Sequence, residues 1–297
     1  MKVVKAGNTS YDLFHFEWTL VNWCNFKCVY CSSKDFMVDK WAKNNSISNY
    51  KLTLSRLKNF NSDFHIELYG GEPSLHPNIN EIIKGLTTIE HCKKIEIITN
   101  LSKPLKFWQE LPKELKICAS YHVDFTDDDF ITKIENIKKT HYIRVTVNLV
   151  DDETQWNKIL TLIEQLKLID VEYNLHFLNN TSTWKSNYNS NFFKTFKPLE
   201  RNLYEKKVIE LYKYQFEDGE KELQDLEIYE NGLHRFNGYK CNPRFYSIQF
   251  DGSIKNMCTR KPMNKLLFDE SDLNVTEICP NQQCACEVMF NFPKELV

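Results

Sequence analysis

"TLVNWCNFKCVYC", residues 19–31, runs out of a strand into three cysteines, Cys24, Cys28 and Cys31. The lead-in belongs to "FHFEWTLVN" (14–22), whose apolar and aromatic residues read as a strand, so the thiols sit on a loop directly after it. A closed structural zinc site asks for a fourth ligand, and a redox C-x-x-C pair has no use for Cys24. Thiolates on a loop are ordinary ligands of an iron–sulfur cluster. Three of them leave one iron of a four-iron cluster open to a ligand that is not protein.

Further strands are expected at "FHIELYG" (64–70), "KIEIIT" (94–99), "LKICASYH" (115–122), "YIRVTVNLV" (142–150) and "DVEYNLHFL" (170–178). Between them, residues 49–60, 78–89, 127–140 and 152–167 place apolar side chains at i, i+3, i+4 and i+7, as crossover helices do. This alternation predicts βα units around a parallel sheet. Residues 177–191 read as a polar loop and 199–223 as a long helix leading out of the first domain, with a boundary near 220. Beyond it, two alternating strands flank Asp251-Gly252, a hairpin signal. Half of the ten cysteines, Cys241, Cys258, Cys279, Cys284 and Cys286, lie in this small unit, which suggests that metal ties it together.

The 38 basic and 40 acidic side chains nearly cancel, which excludes broad electrostatic capture of nucleic acid. No apolar run approaches a membrane span, and "MKVVKAGNTSYD" turns polar too early for a signal peptide. A cytoplasmic location follows, where thiols stay reduced and serve as ligands or core residues.

C-x3-C-x2-C after the first strand, with Tyr30 before the third cysteine, resembles the radical S-adenosylmethionine (SAM) superfamily. "YGGEPSLHP" (69–77), after the second strand, resembles that family's GGEP motif. The resemblance implies an α/β fold, a partial (β/α)6 barrel, and a [4Fe-4S] cluster on Cys24, Cys28 and Cys31 whose open iron binds SAM. An external one-electron reductant such as flavodoxin or ferredoxin would feed the cluster, and SAM would be cleaved reductively to a 5'-deoxyadenosyl radical. It further implies that Gly70, Gly71 and Glu72 meet the SAM amino group, that Thr99, Asn100 and Ser120 contact its ribose and carboxylate, and that Tyr30 lies by the adenine.

Alternate residues of a barrel strand face the lumen, and the helix layer must be dry. Arg144, Thr146 and Asn148 therefore point inward, as do Asn174 and His176, and Cys118, Ser120 and His122. His122, Asn148 and His176, nearest the C-terminal strand ends, are the candidate substrate-touching residues. Arg144 is deeper and suited to pair with Glu67 or Glu17, and Cys118 is either a hydrogen donor to a substrate radical or a small core residue. A lumen of this polarity favours a small polar substrate, sugar- or nucleotide-like.

Cys241, the Asp251-Gly252 hairpin, Cys258 and "CPNQQCAC" resemble the SPASM/twitch extension of the same superfamily, and too few thiols are present for two auxiliary clusters. One auxiliary cluster is implied, four-iron rather than two-iron, with Cys279 the expected surplus thiol; a zinc knuckle is the alternative. "GSIKNMC" and C-x4-C-x-C both depart from the usual spacing. The expected organisation is a barrel over 1–220 and a twitch-like unit over 221–297. The expected function is hydrogen-atom abstraction from a small polar substrate. The rivals are modification of a ribosomal peptide, against which the dozen residues before the first strand count, and a non-catalytic iron–sulfur or zinc scaffold.

Overall fold

The computed structural model describes residues 2–7, 13–31, 49–150, 152–178, 212–223, 227–228, 231–258, 262–263, 273, 275–282, 284 and 292–297. In chain order its elements begin with β1 (Val3–Ala6), β2 (Phe14–Val21), α1 (Tyr50–Lys58), β3 (Phe64–Gly70), α2 (Ile79–Thr87) and β4 (Cys92–Thr99). Then follow α3 (Leu105–Gln109), β5 (Leu115–Tyr121), α4 (Phe130–Ile137), β6 (Ile143–Val150), α5 (Glu153–Leu168) and β7 (Glu172–Leu178). The C-terminal part holds β8 (Tyr212–Phe216), β9 (Gly219–Leu223), β10 (Tyr239–Cys241), β11 (Phe245–Ile248), β12 (Ile254–Asn256), β13 (Pro262–Met263), β14 (Glu277–Ile278) and β15 (Lys294–Leu296).

The six expected barrel strands are β2 to β7, all parallel and adjacent in chain order within a nine-stranded sheet, β13-β12-β11-β2-β3-β4-β5-β6-β7. One face of each strand is apolar: Phe14, Phe16, Trp18 and Leu20 on β2, and Val145, Val147 and Leu149 on β6, are buried in a single core with Ile82, Ile83, Ile134, Ile163 and Leu166 of the helices. Each such large side chain contributes roughly 1.5–3 kcal/mol by leaving water, which is why strict alternation fixes the face. Asp152 caps α5 by accepting from Thr154 N at 3.0 Å. The short helix α3 was not expected, since five residues carry no helical period; it is anchored by Trp108, fully buried, whose indole donates to Lys103 O.

The hairpin at Asp251-Gly252 is present: β11 and β12 pair antiparallel, Gly252 has φ +79°, and Asp251 Oδ1 accepts from Ser253 N. Its strand β11 then lies parallel to β2, with Phe245 beside His15 and Ile248 beside Trp18, so the late hairpin extends the barrel sheet.

A second sheet, β14-β10-β15-β1-β8-β9, encloses its own core of Val3, Tyr212, Tyr214, Phe216, Phe236, Tyr239 and Phe292. It draws on strands from both sides of residue 220, including β1, which reading the first residues as a polar start had missed. The long helix expected over 199–223 is corrected here: 212–223 form the β8–β9 hairpin. Tyr212, Tyr214 and Phe216 are buried while Lys213 and Gln215 are exposed, a period of two, and Glu217-Asp218 make the turn into Gly219. Residues 199–211 of that helix, and 179–191 of the expected loop, lie outside the described residues.

Candidate active site

The loops at the C-terminal ends of β2, β3, β4 and β5 meet at one mouth of the barrel. Cys24, Cys28 and Cys31 are half-buried on the first of them, with Cys31 N donating to Cys28 O at 3.1 Å. Burial pushes the Cys24 thiol up to about 11 and raises that of Cys28, and each is raised further by its neighbouring cysteines. Three mutually repelling thiolates on a partly exposed loop suit a polynuclear metal cluster, whose positive charge offsets the repulsion.

The glycines of the GGEP loop answer to this cysteine loop. A Cβ on Gly71 would stand 1.9 Å from Trp23 O, and one on Gly70, at φ +138°, would stand 2.4 Å from Val21 O. Only glycine lets the two backbones meet, through Gly71 N to Val21 O (3.0 Å) and Glu72 N to Trp23 O (2.9 Å). Glu72, expected as a direct acceptor for the SAM amino group, is 1% exposed. It accepts from Ser74 N (3.0 Å), Thr99 Oγ1 (2.7 Å) and Asn100 N (2.7 Å), tying the GGEP loop to the end of β4. Burial raises its pKa and these donors oppose that shift. Asn100 reaches on to the cysteine loop, its Nδ2 donating to Asn25 Oδ1 at 2.9 Å and lying 3.7 Å from Cys24 Sγ.

His122, expected to face substrate, closes the other side of the cysteine loop. Its Nδ1 is 2.9 Å from Tyr30 Oη and 3.6 Å from Cys28 Sγ, and its ring stacks on Tyr30 at 11°. Burial, aided by His176, lowers the His122 pKa to about 4, so the ring is neutral; burial raises that of Tyr30, so the phenol keeps its proton. Below the mouth, His176 Nδ1 is 3.2 Å from Asn148 Oδ1, and Asn148 donates to Tyr121 O. Half-buried Ser120 stands in register with Thr146, which donates to Asn174 Oδ1 and contacts Cys118 Sγ at 3.4 Å. The inward set therefore falls on one face, as alternation required.

Arg144 corrects an expected pairing: its partner is Glu96, at 2.8 Å through Nε and 2.7 Å through Nη2, rather than Glu67 or Glu17. Burial alone would raise the Glu96 pKa, but Arg144 and Lys94 hold it below the usual carboxylate range. Strand β4 reads "CKKIEIIT", and in sequence Glu96, two residues after Lys94 and between Ile95 and Ile97, resembles a solvent-facing charge on the same face as the lysine.

At the opposite end of the sheet, Cys241 precedes β11 and Cys258 follows β12. Cys241, Cys258, Cys279 and Cys284 line one cavity with Phe292 and Lys294. Cys286 lies outside the described residues. Burial raises the thiols of Cys241 and Cys284, the latter to about 11, and the buried Lys294 ammonium opposes both shifts. Four thiols around a cavity beside a buried cation fit an anionic thiolate cluster.

A parallel βα sheet with a polar inner face, three thiols at its mouth and a GGEP loop locked against them defines a barrel built to hold a metal cluster and a small ligand together. The sequence profile of the Radical SAM superfamily matches residues 18–181, more than half of the chain, and the chain belongs to that superfamily of enzymes. Among curated relatives it is 25% identical over 216 residues to the GTP 3',8-cyclase of Lactiplantibacillus plantarum, covering 60% of each chain. It is 28% identical over 128 residues to that of Trichodesmium erythraeum, covering 42% of this chain and 39% of that one. The chain thus spans less than two thirds of these relatives. Among solved structures, one described as native anSMEcpe with bound AdoMet superposes with a TM-score of 0.53 at 15% identity, covering 87% of this chain and 79% of that one, a likeness of fold. Among the described residues no helix is long and apolar enough to cross a membrane.

Proposed function

We propose that this chain abstracts a hydrogen atom from a small polar, nucleotide- or sugar-like substrate held in the barrel lumen, with an auxiliary iron–sulfur cluster in a twitch-like C-terminal unit. The observation that carries the reading is the convergence of Cys24, Cys28 and Cys31 with the GGEP loop directly above a hydrogen-bonding lumen. Cys24, Cys28 and Cys31 would hold a four-iron cluster, which together with bound SAM would supply one-electron reductive cleavage and a 5'-deoxyadenosyl radical. The chain's own part is positioning and exclusion of water. Glu72, Thr99 and Asn100 fix the GGEP loop, while Tyr30 and neutral His122 buttress the loop of Cys28. Asn148, His176, Thr146 and Asn174 offer the substrate neutral donors and acceptors, so the lumen can orient hydroxyls or amides without moving protons. Cys241, Cys258, Cys279 and Cys284 would hold the auxiliary cluster, with Lys294 balancing its charge and an external reductant supplying electrons. The names of the curated relatives make a nucleoside triphosphate the first substrate to try.

The test is anaerobic reconstitution with iron and sulfide, reduction by dithionite, and chromatography for 5'-deoxyadenosine with and without GTP. We expect SAM cleavage in the wild type and none in Cys28→Ala, with about eight irons per chain when both clusters are four-iron. Absence of 5'-deoxyadenosine from the fully loaded wild type, with every substrate tried, sinks the reading.

A further inference from the structure

The second residue of β2 and that of β3 are both histidine, in strands that open alike, "FHFE" (14–17) and "FHIE" (64–67). The parallel register sets His15 beside His65 and Glu17 beside Glu67 on the inner face, at the N-terminal end of the barrel. From His15 to the end of β2 is six residues, about 20 Å at the rise of a strand, so this cluster is remote from the cysteine loop.

His15 is 2% exposed and His65 7%, and neither Nε2 has a hydrogen-bond partner. Both face Glu67: His15 Nε2 is 3.5 Å from Glu67 Oε2, and His65 Nε2 lies between two carboxylates, 4.0 Å from Glu67 Oε1 and 3.7 Å from Glu96 Oε2. One ligand atom from each of the three residues falls within 4.8 Å of the others. Four-coordinate bonds of about 2.0–2.2 Å place neighbouring ligand atoms roughly 3.3–3.5 Å apart, so the set needs only small inward movements to close on an ion. The charge balance points the same way. Glu17, Glu67 and Glu96 stand side by side in register, yet Arg144 and Lys94 both pair with Glu96. Among the described residues no lysine or arginine is at ion-pairing distance from Glu67, and Glu17 and Glu67 repel one another.

We infer that His15, His65 and Glu67 form a binding site for a divalent transition-metal ion at the base of the barrel, with Glu17 in position to complete or balance it. Two imidazoles and a carboxylate are the donor set of zinc and of ferrous iron. Its place at the N-terminal face makes it a structural tie between β2 and β3, because chemistry in such barrels is done at the opposite end. The ion offsets the Glu17–Glu67 repulsion and occupies two imidazole nitrogens that burial otherwise strands. This inference does not depend on the radical reading.

The probe is zinc. The protein, with its thiols first filled by anaerobic reconstitution with iron and sulfide, is given one equivalent of Zn2+, desalted, and measured by metal analysis and zinc-edge X-ray absorption. We expect about one zinc retained per chain, with nitrogen and oxygen neighbours near 2.0–2.1 Å, imidazole outer-shell scattering and no sulfur shell near 2.3 Å. His65→Gln and Glu67→Gln should each weaken retention at least tenfold, and Lys106→Ala, at an exposed position of α3, should leave it unchanged. Failure of the wild type to retain zinc, a sulfur shell, or undiminished zinc in a folded His15→Gln/His65→Gln protein overturns the site. The wild-type spectrum decides the matter even if the histidine variants do not fold.

Discussion

Replacing Gly71 by alanine tests whether the GGEP loop and the cysteine loop form one rigid unit. The added methyl would stand 1.9 Å from Trp23 O, 2.2 Å from Trp23 C and 2.9 Å from Cys24 N. All three are backbone atoms, so no rotamer change relieves the clash, and the loop must retreat by roughly 1.5 Å to reach ordinary contact. That movement breaks Gly71 N to Val21 O and Glu72 N to Trp23 O. Two hydrogen bonds at about 1 kcal/mol each, plus about 1–3 kcal/mol of overpacking, give a loss of about 3–5 kcal/mol. At roughly 2–3 °C per kcal/mol for a chain of this size, the midpoint should fall by about 6–15 °C. The assay is thermal unfolding by circular dichroism, paired with iron and sulfide content after anaerobic reconstitution, because Cys24 moves with the loop. Gly85→Ala in α2 is the control: its methyl meets only the tip of Leu54, at 2.7 Å from Cδ1, and gains about 1 kcal/mol of helix propensity. A Gly71→Ala protein that melts with the wild type and takes up as much iron refutes the contact argument.

Arg144→Met leaves the buried Glu96 carboxylate with Lys94 as its remaining cation, and should cost about 3 kcal/mol in urea unfolding, the low end for a broken buried pair. Adding Glu96→Gln to the same chain should restore part of that loss, and no recovery would mean that the pair is not the source. Burial lowers the pKa of His176 below the ordinary 6.5, so as pH falls below 6.5 the unfolded chain takes a proton that the folded chain refuses. Stability from this residue is therefore complete above about pH 7 and declines as the medium is acidified. His176→Gln should flatten the difference in unfolding free energy between pH 7.5 and 5.5, and an unchanged slope would place the pH dependence elsewhere.

The barrel strands were legible because each alternates against a dry helix layer, and the period of two survives in sequence. The cysteine loop and GGEP were legible because thiol spacing and paired glycines are rare by chance. What stayed hidden was determined by neighbours distant in sequence. Paired glycines signal a close approach without saying to what, and the structure brings Gly71 against the backbone of Trp23. Glu72 and His122 were placed on the correct loops, but their partners, Thr99 and Asn100 for one and Tyr30 and Cys28 for the other, come from other strands. The β8–β9 hairpin was masked by helix-favouring Glu, Lys and Leu around it, although the alternation of Tyr212, Tyr214 and Phe216 and the turn at Gly219 were present. The repeated "FHFE" and "FHIE" openings were visible, yet only the register of β2 on β3 turns two ordinary strands into a cluster.

In the second sheet, β1 is hydrogen-bonded on one side to β15 and on the other to β8, with Lys5 opposite Glu295. Partners so far apart in sequence are the slowest to find one another, because the closing of so long a loop is costly before any contact rewards it. The barrel can therefore condense from local βα units while the cavity around Cys241, Cys258, Cys279 and Cys284 waits for its walls. Iron offered during folding would meet the loop of Cys24, Cys28 and Cys31 first, and pulse-labelled hydrogen exchange should show β10 and β15 gaining protection after β2 to β6.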